Sequence, residues 1–84
     1  MPDDVDAALQ RAITELLGHR RPGATICPSE AARAVAPEGW RELVPAARAA
    51  AGTLAAAGAV EVTQHGEVVD VATARGPVRV RRAR

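Results

Sequence analysis

Residues 25–70 read TICPSEAARAVAPEGWRELVPAARAAAGTLAAAGAVEVTQHGEVVD, and the punctuation of this stretch decides the fold. Ala24 to Cys27 is a short strand. Pro28-Ser29 then opens a helix, with Ser29 as the expected N-cap and Ala31, Ala32 and Val35 facing inward, and Pro37 ends it. The turn Pro37-Glu38-Gly39-Trp40 leaves room only for a tight connection between helices, with Trp40 as the buried wedge that sets their angle. Pro45 suits the first turn of the next helix, which runs to about Ala57 and stops at Gly58. Val60 to Gln64 and Glu67 to Val71 alternate as strands around His65-Gly66, a two-residue hairpin turn. Strand, helix, turn, helix and hairpin, in that order, predict a winged helix-turn-helix. The expected fold is therefore α+β.

Upstream, Asp3 or Asp4 is positioned to cap a first helix, with Asp6 in its first turn. Val5, Leu9, Ala12, Ile13, Leu16 and Leu17 recur at spacings of three and four and form its inner face until Gly18 stops it. The prediction is three helices, a short strand after the first, and a C-terminal hairpin wing. The third helix buries Ala47, Ala50, Ala51 and Leu54 and turns Ala46, Arg48, Ala49, Gly52, Thr53 and Ala56 outward. Pairing Gln64 with Glu67 sets Val62 against Val69 and Val60 against Val71, and it forces Glu61 opposite Asp70. Like charges so placed repel, which calls for an arginine over them: Arg48 from the third helix, or Arg75, Arg79 or another arginine of the tail.

Downstream, Arg75-Gly76-Pro77 is a turn and Val78 to Arg81 alternates again, with Pro77 expected to confine that segment to a sheet edge. The organisation expected is a winged-helix domain over residues 1–74 and an Arg-rich segment over 75–84, partly ordered against it.

All eleven basic residues are arginine. Six of them face ten carboxylates within residues 1–74, a balance of −4, while five arginines make the last ten residues +5. A basic end of this kind suits nucleic acid or an acidic surface. With 84 residues and no Phe or Tyr, the core must be small and its helices must pack closely across alanines. One cysteine excludes an intrachain disulfide and a Cys-rich zinc site, and suits a reducing compartment. No apolar run is long enough to span a membrane, and Met1-Pro2-Asp3-Asp4 is acidic where a signal peptide is basic, so a cytoplasmic location is expected.

The residues offer no catalytic constellation, cofactor motif or metal site. His19 and His65 fall in separate turns, Cys27 reads as a buried inert thiol, Ser29 has a capping role, and the glycines stand singly at element ends. The chain is read as a non-enzyme. If it holds double-stranded DNA, the candidates are Arg33, Arg41, Arg48, Thr53, Arg79, Arg81 and Arg82, acting largely through phosphates, because an alanine-rich third helix has little with which to read bases. The hairpin carries Glu61, Glu67 and Asp70, which repel phosphate. The alternative is an interaction or structural module that uses the exposed alanine face to meet a second copy or another protein. If the tail arginines neutralise the hairpin carboxylates, the tail is a structural strap and the second reading gains.

Thr25-Ile26-Cys27-Pro28-Ser29-Glu30-Ala31-Ala32-Arg33, Trp40-Arg41, Arg48, Gln64-His65-Gly66, Val69-Asp70 and Arg75-Gly76-Pro77-Val78-Arg79 together resemble the domain of unknown function 3253 family. The resemblance covers nearly the whole chain, and its most specific parts are Cys-Pro-Ser-Glu and Arg-Gly-Pro. It departs at Val71, where an Asp-Pro step shortly after the hairpin is expected. What it implies is a stand-alone bacterial winged-helix protein, with no activity and no functional residues to carry over.

Overall fold

The side chain of Asp4 accepts the Ala7 N–H and caps α1, Val5–Gly18. The computed structural model describes residues 4–83; Asp3, the other candidate cap, and Arg84 of the tail lie outside them. Then follow β1, Thr25–Ile26; α2, Pro28–Val35; α3, Trp40–Ala56; β2, Val60–Gln64; β3, Glu67–Val68; and β4, Arg79–Arg82. The fold is α+β: three helices lie against one antiparallel sheet of order β1-β4-β2-β3.

Leu9, Ile13 and Leu17 of α1 meet Ile26, Val60, Val62, Val78 and Val80 from the sheet region. Between them Ala31, Ala32, Ala47, Ala50 and Ala51 are fully buried, and their single methyl groups let α2 and α3 approach each other and α1 closely. Such packing leaves little slack, because a methylene added to an alanine contact displaces backbone. Val5, expected in the core, is 41% exposed. At the first helical position its side chain points back past the helix start, over the rim of the core.

Four local expectations are corrected. The N-cap of α2 is Cys27, not Ser29. Pro28 starts the helix because its fixed φ fits the first helical position, and the Glu30 carboxylate accepts the Cys27 N–H at 2.8 Å. Helix α3 begins at Trp40, a full turn before Pro45. Gly39, at φ +84°, turns the chain so that the helix can start at once. Pro45 then sits inside α3 on its exposed side, where the helix tolerates the hydrogen bond it cannot donate.

The hairpin has the expected turn and register, Gln64 opposite Glu67 and Thr63 opposite Val68. It ends early, however. The Val69 N–H still reaches the Val62 carbonyl, but Asp70 starts a turn, its carboxylate accepting the Ala72 N–H at 2.9 Å. Glu61 is therefore opposite Arg81 of β4 and not Asp70.

Finally, β4 is an inner strand, paired with β1 on one side and β2 on the other. The edge expected from Pro77 does not arise, since Pro77 precedes the strand and every strand residue from Arg79 to Arg82 keeps its N–H. Val78 and Val80 are buried.

Candidate partner and nucleic-acid interface

The strand β4 takes three of the seven candidate arginine and threonine residues into the fold. Arg81 lies on the outer sheet face and its Nε is 2.9 Å from Oε1 of Glu61. Arg79, on the same face, donates from Nε to Thr25 Oγ1 at 2.9 Å and from Nη2 to the Thr25 carbonyl at 3.3 Å. Arg82 reaches the other way, and its Nη2 is 3.0 Å from each of the Leu17 and Arg20 carbonyls. Helix α1 has no basic residue in its last turn, so Arg82 supplies from 65 residues away the cation that the helix's negative end favours.

The pairing expected over the hairpin carboxylates is thus made at Glu61, by a tail arginine. Its donor is Arg81, not Arg48, Arg75 or Arg79. Asp70 forms no salt bridge among the described residues and serves its own turn.

Arg48 is likewise engaged. Its Nη1 donates to the Gly76 carbonyl and its Nη2 to the Ala74 carbonyl, both at 2.9 Å. Gln64, expected only as a strand residue beside the hairpin turn, donates to the carbonyls of Arg75 and Pro77 from the other side. Together they fix residues 74–77, whose carbonyls have no ladder partner. Thr53 donates its hydroxyl back to the Ala49 carbonyl at 3.2 Å. In this arrangement Arg48 and Thr53 both direct hydrogen bonds into the fold.

The outer face of α3 is instead the floor of an apolar groove of about 730 Å³. Val44, Pro45, Arg48, Ala49, Gly52, Thr53 and Ala56 line it from the helix, and Val71 and Ala72 form its wall, with Asp70 on the rim. Gly52 makes this wall possible: a Cβ there would stand 2.9 Å from Cγ1 of Val71, closer than two carbons pack.

Arg33 and Arg41, both exposed, are the two candidates that meet an aromatic ring. Both guanidiniums lie over the half-buried indole of Trp40, with Cζ 4.7 Å and 4.5 Å from the ring centroid respectively. Arg33 also donates to Ser29 Oγ at 3.2 Å. Neither forms a salt bridge among the described residues. Trp40 is therefore less of a core wedge than expected: one part packs on the core and the rest carries two cations. The adjacency of Trp40 and Arg41 was the available signal for one of them; Arg33 is brought in only by the angle between α2 and α3.

Cys27 is half-buried, not buried, and its sulfur accepts the Ser29 hydroxyl at 3.1 Å. Among the described residues no group of three His, Cys, Asp or Glu side chains could hold a metal ion, and no helix is long and apolar enough to cross a membrane.

The sequence profile of the family described as "Protein of unknown function (DUF3253)" matches residues 6–83, so the chain belongs to that family. A search of curated proteins gives no significant match.

Proposed function

We propose that this family member is a non-catalytic interaction module on a winged-helix scaffold, which meets a protein partner with the outer face of α3. Support for the scaffold comes from the short turn between α2 and α3 and from the order β1-β4-β2. In that assignment β2 and β4 are the wing strands, and residues 65–78 form a long wing folded back over α3. The observation that carries the functional reading is the groove. The helix that a DNA-binding winged helix would insert into the major groove is roofed along one side by Val71 and Ala72, and the groove beside it is lined mostly by small and apolar residues, with Arg48 and Thr53 as the polar ones on the helix. Base recognition needs hydrogen-bonding side chains there, and the two present on the helix, Arg48 and Thr53, already hydrogen-bond within the fold; the small apolar residues around them suit close helix packing.

The simplest partner of matching chemistry is a second copy, whose own α3 offers the same small-residue stripe for a two-fold contact. Sedimentation equilibrium of the parent and of Ala49→Arg tests it. The parent self-associates and the variant, altered at the exposed centre of the stripe, stays monomeric.

One observation favours a second reading, nucleic-acid binding through phosphates. Arg33 and Arg41 stand unpaired at the corner of α2 and α3, where a helix-turn-helix approaches the backbone. With so few contacts the binding would be weak and non-specific, and it would fall with salt at a slope of about −2, set by two neutralised phosphates.

A further inference from the structure

We infer that Arg33, Trp40 and Arg41 form one oxyanion site, specific for phosphate groups, in which Trp40 positions the two arginines. Two guanidiniums brought onto one side chain repel each other in isolation. The electron-rich indole attracts each of them, with Cζ 4.7 and 4.5 Å from the ring centroid. A guanidinium held by a ring through cation–π attraction keeps N–H donors for an anion. Arg33 gives one of its N–H groups to Ser29, and Arg41 forms no side-chain hydrogen bond among the described residues. Arg20, Arg48, Arg79, Arg81 and Arg82 also donate to oxygens of the fold; what sets the pair apart among the described residues is that both lie over the Trp40 ring.

The local charge is also open. Glu38 and Glu42 flank Trp40 in sequence, yet neither forms a salt bridge with either arginine. Arg41 lies in the first turn of α3, where the helix's positive end adds to the attraction for an anion. Two positive charges held by one ring, each with forked donors, match a diphosphate or two neighbouring phosphate groups, whereas a single carboxylate would neutralise one of them. The owner of the phosphate is a nucleic-acid backbone if the second reading above holds; the site itself does not rest on that reading.

Trp40 is the sole tryptophan of a chain with no Tyr or Phe, so its fluorescence reports on the site directly. The parent, Arg33→Gln, Arg41→Gln and the control Arg75→Gln are titrated at low salt with pyrophosphate and, separately, with a random duplex DNA. Their melting curves are compared first; all three substitutions are on exposed side chains. The expected result is a saturable change in Trp40 emission with both probes, weakened about tenfold by either Arg33→Gln or Arg41→Gln, the loss of one charged hydrogen-bonding partner, and unchanged in Arg75→Gln. Pyrophosphate binding without DNA binding supports the site and overturns the nucleic-acid reading. DNA binding equal in all four proteins overturns the site and leaves that reading standing. Silence with both probes overturns both. For the positioning role, binding of labelled duplex is followed by anisotropy: Trp40→Phe keeps most of the affinity and Trp40→Leu loses it. Equal binding by Trp40→Leu and the parent would refute the part assigned to the indole.

Discussion

Arg81 of β4 and Glu61 of β2 face each other across the sheet, with Nε 2.9 Å from Oε1. The pair joins the chain's basic end to its acidic body at a point where both side chains are about a quarter to a third exposed. A cross-strand ion pair of this exposure contributes roughly 0.2–1 kcal/mol. A double-mutant cycle with Glu61→Ala and Arg81→Ala should return a coupling energy in that range that shrinks in high salt. A coupling of zero at low salt would show that the contact does not hold β4.

Deleting residues 79–84 removes an inner strand, Val80 from the core, and the cap that Arg82 places on α1. The expected outcome is loss of folding, seen as loss of the cooperative thermal transition by circular dichroism. A truncated protein that melts like the parent would mean that the basic end is dispensable to the fold and free to bind.

Arg48→Ala leaves the Ala74 and Gly76 carbonyls without their donors. The cost should be about 1–3 kcal/mol, read from chemical denaturation, with faster hydrogen exchange concentrated in residues 70–77. If nucleic acid is bound, its affinity should change little beyond this loss of stability. A large specific loss of DNA affinity in a protein of unchanged stability would instead place Arg48 in the interface.

Gly52→Ala inserts a methyl group against Val71. The clash and the gain in helix propensity oppose each other. Overpacking costs typically ~1–3 kcal/mol and replacing Gly by Ala inside a helix returns about 1. We expect net destabilisation for the single variant and recovery to at least the parent's stability in Gly52→Ala/Val71→Ala. A stabilised single variant would show that residues 70–72 do not press on α3.

Trp40→Ala should cost about 2 kcal/mol in denaturation experiments, below the 3–5 kcal/mol typical of a fully buried tryptophan, because part of the indole faces solvent under the two arginines. A loss of the full buried magnitude would place the ring in the core after all.

Much of this architecture was legible in the sequence, for reasons that differ by element. The helix α1 declared itself through an uninterrupted period of three and four, and the hairpin turn through His65-Gly66, both of which have positive φ. The boundaries of α2 and α3 were displaced by the same cause: two prolines were each read one role too far along, Pro28 as a residue before the cap and Pro45 as a helix start. The end of β3 could not be read because the valine alternation continues through Val71 while Asp70 breaks the ladder by hydrogen-bonding its own turn. The position of β4 was hidden by long-range pairing, since nothing local distinguishes an inner strand of alternating Val and Arg from an edge. The site followed the same division. Charge asymmetry pointed to the arginines as a set, but only tertiary geometry separates Arg48, Arg79, Arg81 and Arg82, which tie distant segments of the chain together, from Arg33 and Arg41, which lie over Trp40.

The measurement that bears most directly on the α3 face as a partner surface is sedimentation equilibrium of the full chain at high micromolar concentration, alongside Ala49→Arg. The account predicts a concentration-dependent dimer for the parent and a monomer for the variant, with superimposable thermal melts at low concentration. A parent that remains monomeric throughout, or an Ala49→Arg protein that dimerises as the parent does, would contradict it.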